Sequence, residues 1–494
     1  MDLTGELEQA LENVITGQPV DIREDGRRMA GLEGARCEVR PGSKPLLHLW
    51  SSERSLVRRV SRVVEATGSR VRLEVERFGP KGVGQLEIMR REWQRPRSRI
   101  ERESFAERFA GLLKQQFPDE TLESLTVSPD LKHSLSGSYA RGWMRGGRQA
   151  WAVLGAGSSE SMATVDGALT FGLIWLDWLR TRGVAPVIAG LRLILPAETG
   201  RMAAHRLGAV GKGVAVELYE WREEDPLARR IDPAEAGKLD TWLTPCREID
   251  GILAQTAESG RAIRALDPSA IDSIVVPGTR QVSWRYRGLE FARWSRGEIL
   301  FGLGRSRAEL GEKSWSELRR VVAELAAHRQ PRGNHRDPLF RAARERWLET
   351  LTRAEITRID ARLDPSQVYC QVPRIPARDR GVIDLLGVTG EGRLAVIALK
   401  ADEDVQLVLQ AVDYWLRVRW HLRQGDFQRY GYFPGHSLQA ADPLLYLVAP
   451  GLRFHSGTPT VMRYLSAEIP GCRVGLSEDW RSGLRVVERA SANE

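Results

Sequence analysis

The sequence predicts an α/β (α+β) protein made of two tandem mixed-sheet cores, each preceded by a small β/α module. Apolar strands and amphipathic helices recur in the same order in the two halves of the 494-residue chain. The composition, 42% hydrophobic, 28% charged and 7% aromatic, is that of a globular protein and excludes disordered and low-complexity classes. Helices alternate with the central strands, an order that packs as mixed sheets flanked by helices.

The chain opens on MDLTGELEQALENV, an acidic helical segment unlike a signal peptide. The hexapeptide GLEGAR at Gly31 recurs as GLEFAR at Gly288, 257 residues on (288 minus 31), and its neighbours continue the match. A short apolar strand, from Pro45 to Trp50 or from Glu298 to Leu303, leads into a Ser/Glu-led helix. Leu56, Val57, Val60, Val63 and Val64 place that helix in the first half, and Leu318, Val321, Val322 and Leu325 place it in the second. An amphipathic helix with Phe105, Phe109, Leu112 and Leu113 is matched by Trp347, Leu348 and Leu351. Arg-Gly steps at Arg141 and Arg380 precede a hairpin and an apolar strand, Arg148 to Gly155 and Arg393 to Lys400. Trp-rich helices follow, then strands ending at Pro196 and Pro450, then last strands ending near Trp221 and Trp480. This order reads as an ancient duplication, with a β/α module at 1–100, a degenerate core at 101–231, a second module at 232–336 and a second core at 337–494. Pro, Gly and charge between Asp232 and Asp250 mark the joint of the halves, and the arginines from Arg90 to Arg102 mark another.

Lys and Arg number 73 against 65 Asp and Glu, a net charge of +8 with a pI near 9.5, which suits a polyanionic partner without requiring one. Only Lys44, Lys81, Lys114, Lys132, Lys212, Lys238, Lys313 and Lys400 are lysines. The arginine excess fits genome composition first and a grip on phosphates second. Cys37, Cys246, Cys370 and Cys472 are too scattered for zinc or disulfides and read as buried thiols. The longest apolar stretch, Leu169 to Leu179, contains Asp177 and falls short of the ~20 residues of a membrane span. A cytoplasmic protein without membrane contact is expected.

Asp384, in the run VIDLLGV, precedes Lys400 by sixteen residues, and Lys400 closes the run VIALK. Gln410 and Tyr414 lie four apart on the next helix and so share one side of it. In this order the residues resemble the PD-(D/E)xK, restriction-endonuclease-like nuclease superfamily, in particular its RecB-type branch with a trailing QxxxY. The resemblance covers Leu339 to Trp480, with a first-half shadow from Phe105 to Trp221. It implies carboxylates that hold Mg²⁺ or Mn²⁺, a metal that polarises the scissile phosphate, and a lysine that positions the attacking water. Asp384 is then the metal ligand, Lys400 the water-activating residue, and Gln410 and Tyr414 orient phosphate or metal-bound water. Arg380 touches the phosphate, and the partner is nucleic acid, DNA before RNA.

On a strand, Val396, Ala398 and Lys400 share one face while Ile397 and Leu399 enter the core. The superfamily's strand acid would stand at Ala398, so one metal ligand is missing and Mg²⁺ should bind weakly. Three explanations stay open: an introduced inactivating change of Glu to Ala, a natural pseudo-nuclease, or an acid moved to Asp402, Glu349 or Glu345. In the first half Val153 aligns with the acid, Gly155 with Lys400, Arg145 with the neighbourhood of Asp384, and Leu173 and Asp177 with the helical Gln and Tyr. That half is expected to be an inactive copy kept for packing against the second or for holding nucleic acid. The expected function is metal-dependent cleavage of nucleic-acid phosphodiesters, weakened by Ala398. The alternative is a non-catalytic nucleic-acid-binding scaffold.

Each of these residues has a plainer reading. Asp384 alone is a hairpin acid and Lys400 alone a strand-end charge. Glu349 reads as a solvated helix charge before a metal ligand, and Asp402, Glu403 and Asp404 as an acidic cap favoured by the helix dipole. The segment from Gln281 to Trp294 alternates Trp284 and Tyr286 with Arg285 and Arg287. That pattern either stacks bases and grips phosphates or buries one face and solvates the other. Arg95, Arg97 and Arg99 track a phosphate backbone or form a solvated joint. The eight His residues show no ligand or nucleophile–base spacing.

Overall fold

Alternating burial shapes the N-terminal part of this computed structural model, in which β6 (Arg70–Glu76) buries every second residue. The structure describes the chain apart from residues 1–2, 16–19, 26, 33–35, 51–54, 69, 77–82, 91–98, 131–132, 184–186, 238–240, 242, 244, 276–279, 304–306, 371–382 and 492–494, and it describes Asn13, Arg27–Leu32, Arg36, Arg40, Trp50, Ser55, Arg99, Arg247, Ile383 and Asp384 as backbone alone. Residues 1–96 form one unit; residues 97–374 with 381–494 form another.

The first unit holds α1 (Leu3–Ile15), β1 (Val20–Glu24), β2 (Arg27–Leu32), β3 (Arg36–Arg40), β4 (Leu46–Trp50), β5 (Ser55–Ala66), β6 and β7 (Val83–Arg90). They make an antiparallel sheet of order β2-β1-β7-β6-β5-β4-β3, against which α1 buries Leu7, Leu11 and Val14. The helix expected over Leu56–Val64 is instead the strand β5. Four valines there favour an extended chain. Two register shifts, at Val60/Arg62 and Val63/Glu65, break the period of two, so the apolar spacing imitates a helix. GLEGAR and GLEFAR do not correspond either, since Leu32 closes β2 whereas Leu289 opens a strand.

The second unit begins with α2 (Arg99–Gln116), β8 (Thr121–Thr126), β9 (Tyr139–Gly146), β10 (Gln149–Ala156), α3 (Met162–Arg182), β11 (Ile188–Pro196), α4 (Arg201–Leu207), β12 (Ala215–Trp221) and β13 (Arg229–Ile231). The short α5 (Pro233–Ala236) leads to α6 (Cys246–Gln255), α7 (Ala257–Arg264) and a five-stranded meander of β14 (Ile271–Val275), β15 (Gln281–Tyr286), β16 (Leu289–Ser295), β17 (Glu298–Phe301) and β18 (Ala308–Glu309). The expected helix over Leu318–Leu325 is present as α8 (Trp315–His328), which buries Leu318, Val322 and Leu325 against Trp284, Tyr286 and Phe291. After α9 (Pro338–Arg341) come α10 (Arg344–Ala354), α11 (Ile356–Ile359), β19 (Tyr369–Cys370), β20 (Ile383–Val388), β21 (Leu394–Leu399), α12 (Leu407–Arg423), α13 (Asp426–Arg429), β22 (Leu444–Pro450), α14 (Thr458–Arg463), β23 (Gly471–Leu476) and β24 (Val486–Ser491).

Two six-stranded mixed sheets result, ordered β8 to β13 and β19 to β24. In each, the third strand is antiparallel to the second and parallel to the fourth, and the fourth is parallel to the fifth. Parallel neighbours need a crossover, and α3 and α12 provide it. A seam joins the two: Gly211 N–H donates to Tyr464 O (2.9 Å), Ser466 N–H to Ala209 O (2.8 Å), and Thr170 Oγ1 to Gln406 Oε1 (2.7 Å).

Register corrects the correspondence between the sheets. Leu154 lies opposite Leu193, three residues before Pro196, and Ala398 opposite Leu447, three before Pro450. Leu154 therefore matches Ala398, Gly155 matches Leu399, and Ala156 matches Lys400. The match expected from sequence is one residue out, and in a strand that slip moves every side chain to the other face. Arg141, opposite Leu154, stands where Asp384 stands opposite Ala398. It is buried and donates to the carbonyls of Ser136 and Ser128, whereas Arg145 pairs with Glu123 at 2.6 Å.

Candidate functional site

The central strand β21 is apolar throughout because both its faces are covered. Ala395, Ile397 and Leu399 pack with Trp347 and Leu348 of α10, and α12 covers the other side. The face carrying Val396 and Ala398 is thus core as well, and both residues are fully buried rather than open to a cleft. Chemistry begins where the strand ends. Lys400, 8% exposed, still hydrogen-bonds β22 through its N–H to Val448 O (3.0 Å), which fixes where its side chain leaves the sheet.

The Lys400 ammonium is held by two carboxylates, one four residues on and one from α10. Asp404 Oδ2 lies 2.9 Å from Nζ and Glu345 Oε1, in the first turn of α10, 3.7 Å. Burying an ammonium is costly without such partners. Asp404 also accepts the Gln406 N–H at 2.8 Å through Oδ1, so it caps the start of α12 while it pairs with Lys400. Burial pushes the Glu345 carboxyl above its ordinary value; Lys400 opposes this, and Asp402 and Asp404 reinforce it. Asp402 pairs with Arg344 at 2.7 Å. His455 brings Nε2 to 3.9 Å from Glu403 and accepts the Gly457 N–H at Nδ1; burial lowers its pKa against the pull of Glu403 and Asp404.

Asp384 stands directly opposite Ala398 in the β20–β21 ladder. Gln410 and Tyr414 lie on α12; Tyr414 is buried, and the buried Gln410 Oε1 accepts no hydrogen bond. Sequence reasoning weighed Glu345 and Asp402 but missed the part of Asp404, His455 and Arg344. Arg344 and His455 lie more than fifty positions from Lys400, where no spacing rule finds them, and Asp404, four residues on, reads from sequence as a helix cap.

Other expected site residues are placed differently. Glu349 is buried with one oxygen 2.7 Å from Arg346 and the other 3.8 Å from Arg285; these arginines, against burial, keep it below its usual range. Both oxygens face cations, which removes it from a metal set. Trp284 is fully buried in the meander core and offers no ring face to a base. Arg285 is 6% exposed, because α10 roofs the face expected to be solvated, and burial together with Arg346 lowers its pKa. Arg287 sits in the β15–β16 turn and donates to the Arg329 carbonyl. Arg95, Arg97, Arg380 and the side chains of Arg99 and Asp384 lie outside the described residues.

Among the described residues no group of three His, Cys, Asp or Glu side chains is arranged to hold a metal, and no helix is long and apolar enough to cross a membrane. No family model matches the chain, and no curated protein matches it. The solved structure described as "Structure of EndoMS in apo form" matches at 12% identity over 44% of this chain and 95% of that chain, with a TM-score of 0.17. At that score the likeness carries no argument about fold or function.

Proposed function

We propose that the second core is a nuclease-type site, metal-dependent and acting on nucleic-acid phosphodiesters, with DNA as the polymer, built around Lys400 and weakened by Ala398. One observation carries this reading. The Lys400 ammonium is nearly buried at the end of a central strand, between Asp404 and Glu345. The strand residue Ala398 before it faces Asp384 in register.

Two carboxylates are too few for an all-protein cage among the described residues, so a hard cation here would depend on the phosphate. Mg²⁺ accepts one or two protein carboxylates and takes its remaining oxygens from phosphate and water. Glu345 and Asp404 would hold it, with Asp384 at its register position. When bound, the ion supplies Lewis-acid polarisation and a more acidic water. Lys400 offsets charge building on the phosphoryl oxygens or holds the attacking water. Gln410 Oε1 is an acceptor available to orient that water. Burial raises the Glu345 pKa above the ordinary carboxylate value, so activity should be lost earlier on acidification than an exposed glutamate would allow.

A non-catalytic nucleic-acid-binding role is the second reading. Ala398 favours it, because a methyl group stands where an acid would ligate. The experiment is nicking of plasmid and cleavage of single-stranded DNA and RNA, with Mg²⁺ or Mn²⁺, by the unsubstituted chain, Lys400→Gln and Ala398→Glu. Cleavage that Ala398→Glu raises and Lys400→Gln removes supports the proposal. Inert chains in every arm, with folding verified, would falsify catalysis and leave the binding role.

A further inference from the structure

The charges bordering the Lys400 site do not balance. Arg481 lies over three rings, 4.3 Å from the Trp480 centroid, 4.6 Å from Phe340 and 5.3 Å from Trp347. Arg329 stands 4.6 Å and Arg287 5.8 Å from the Trp347 ring. Arg329 is fully buried and donates to the carbonyls of Leu339, Ala342 and Arg287, while Arg287 donates back to the Arg329 carbonyl. Carbonyls satisfy N–H groups without cancelling charge. Burial first, then Arg481 and Arg287, hold Arg329 down to about 10. Burial first, then Arg344, do the same to Arg481, with Asp402 the carboxylate that opposes them.

Arg344 links this cluster to the site, since it precedes Glu345 and pairs with Asp402 at 2.7 Å. Four guanidinium groups thus meet two carboxylates among the described residues, Asp402 at Arg344 and Asp267 near Arg287. The Nε of Arg481 is buried and makes no hydrogen bond. Its guanidinium is held by ring faces, which leave the planar fork free for a bidentate anion. The rings beneath it, Trp347, Trp480 and Phe340, are 1%, 3% and 1% exposed, so they form a floor for arginine and not a stacking surface for bases.

We infer that Arg344 and Arg481, backed by Arg329 and Arg287, form a phosphate-binding subsite beside Lys400, filled by the backbone phosphodiester next to the one that Lys400 addresses. This rests on the reading of the Lys400 site as one that takes nucleic acid. Asp402 competes with the phosphate for Arg344 and so tempers its affinity.

Anisotropy of labelled single- and double-stranded oligonucleotides, in EDTA to prevent cleavage and across a salt series, tests it. Each phosphate contact contributes about 0.7 to 0.9 to the slope of log K against log salt. Arg344→Gln and Arg481→Gln should each flatten that slope by about one contact. Asp402→Asn should tighten binding. Arg463→Gln, a half-exposed arginine paired with Asp177 on the seam, should leave the slope unchanged. Should Arg481→Gln fail to fold, Arg344→Gln and Asp402→Asn still decide, since both side chains are only partly buried. Binding with an unaltered slope in the arginine variants overturns the subsite and leaves the Lys400 reading standing. Failure of the unsubstituted chain to bind any oligonucleotide overturns both. Inorganic phosphate that displaces oligonucleotide far better than chloride at equal ionic strength, and only when both arginines are present, makes free phosphate the ligand and overturns the backbone assignment.

Discussion

The two six-stranded sheets have the same strand order and pairing sense, yet their central strands end differently: β10 in Gly155 and Ala156, β21 in Leu399 with Lys400 just beyond it. In the first sheet the Phe109 ring occupies the space beside Gly155, where an added Cβ would lie 2.4 Å from ring carbon Cε2. In the second, Leu399 fills the matching space and packs in the cluster of Trp347 and Leu348. One core is closed by an aromatic helix residue, the other by a strand residue. Behind the latter a lysine emerges among carboxylates. The contrast teaches that topology sets where a site can be, while a handful of residues past the strand end decide whether one exists.

The sharpest way to break the comparison is catalytic. Lys400→Ala should lower metal-dependent cleavage by ~10²- to 10⁴-fold, the range of a positioned proton-handling group. A variant that cleaves at the parental rate under single-turnover conditions would remove the distinction between the sheets. Next in size is Leu399→Gly, which should cost about 3 to 5 kcal/mol in urea unfolding through a buried cavity and a looser strand. Gly155→Leu, the opposite exchange, should cost about 1 to 3 kcal/mol by overpacking Phe109; a neutral result would mean that the ring swings away freely.

The meander supplies a prediction in pH. Burial works against the Glu290 charge, but Arg293 at 2.6 Å and Arg307 at 2.7 Å hold its carboxyl at about 2, below the ordinary 4.5. A depressed folded-state pKa gives stability that is complete above about 4.5 and is lost as the pH falls toward 2, on the order of a few kcal/mol. Thermal unfolding of Glu290→Gln should therefore show a flatter acid limb in that window. An unchanged limb would show that the pair contributes nothing to acid stability.

Long periodic segments were legible in the sequence. The helices of Phe105–Leu113 and Trp347–Leu351, the Trp-rich helices and the strands ending in Pro196 and Pro450 all follow from apolar spacing over two or more turns or a buried run. β5 was not, because its two bulges put β-branched residues at helical intervals. The site was half legible. Asp384 and Lys400 stand out by motif, but Glu345 reaches Lys400 from a helix fifty-five residues earlier (400 minus 345), a contact no local pattern encodes. Arg285 shows the same limit, since strand alternation predicts two faces but not that α10 will roof one of them.

The seam between the sheets has one more implication. Gln406 lies one turn ahead of Gln410, and its amide is gripped by Thr170 while Gly167 leaves it room, an added Cβ there falling 2.3 Å from Nε2. The first mixed sheet, through the helix that carries Thr170, thus anchors the residue that opens α12. A shortened chain beginning at α10 should keep every site side chain and still aim them badly.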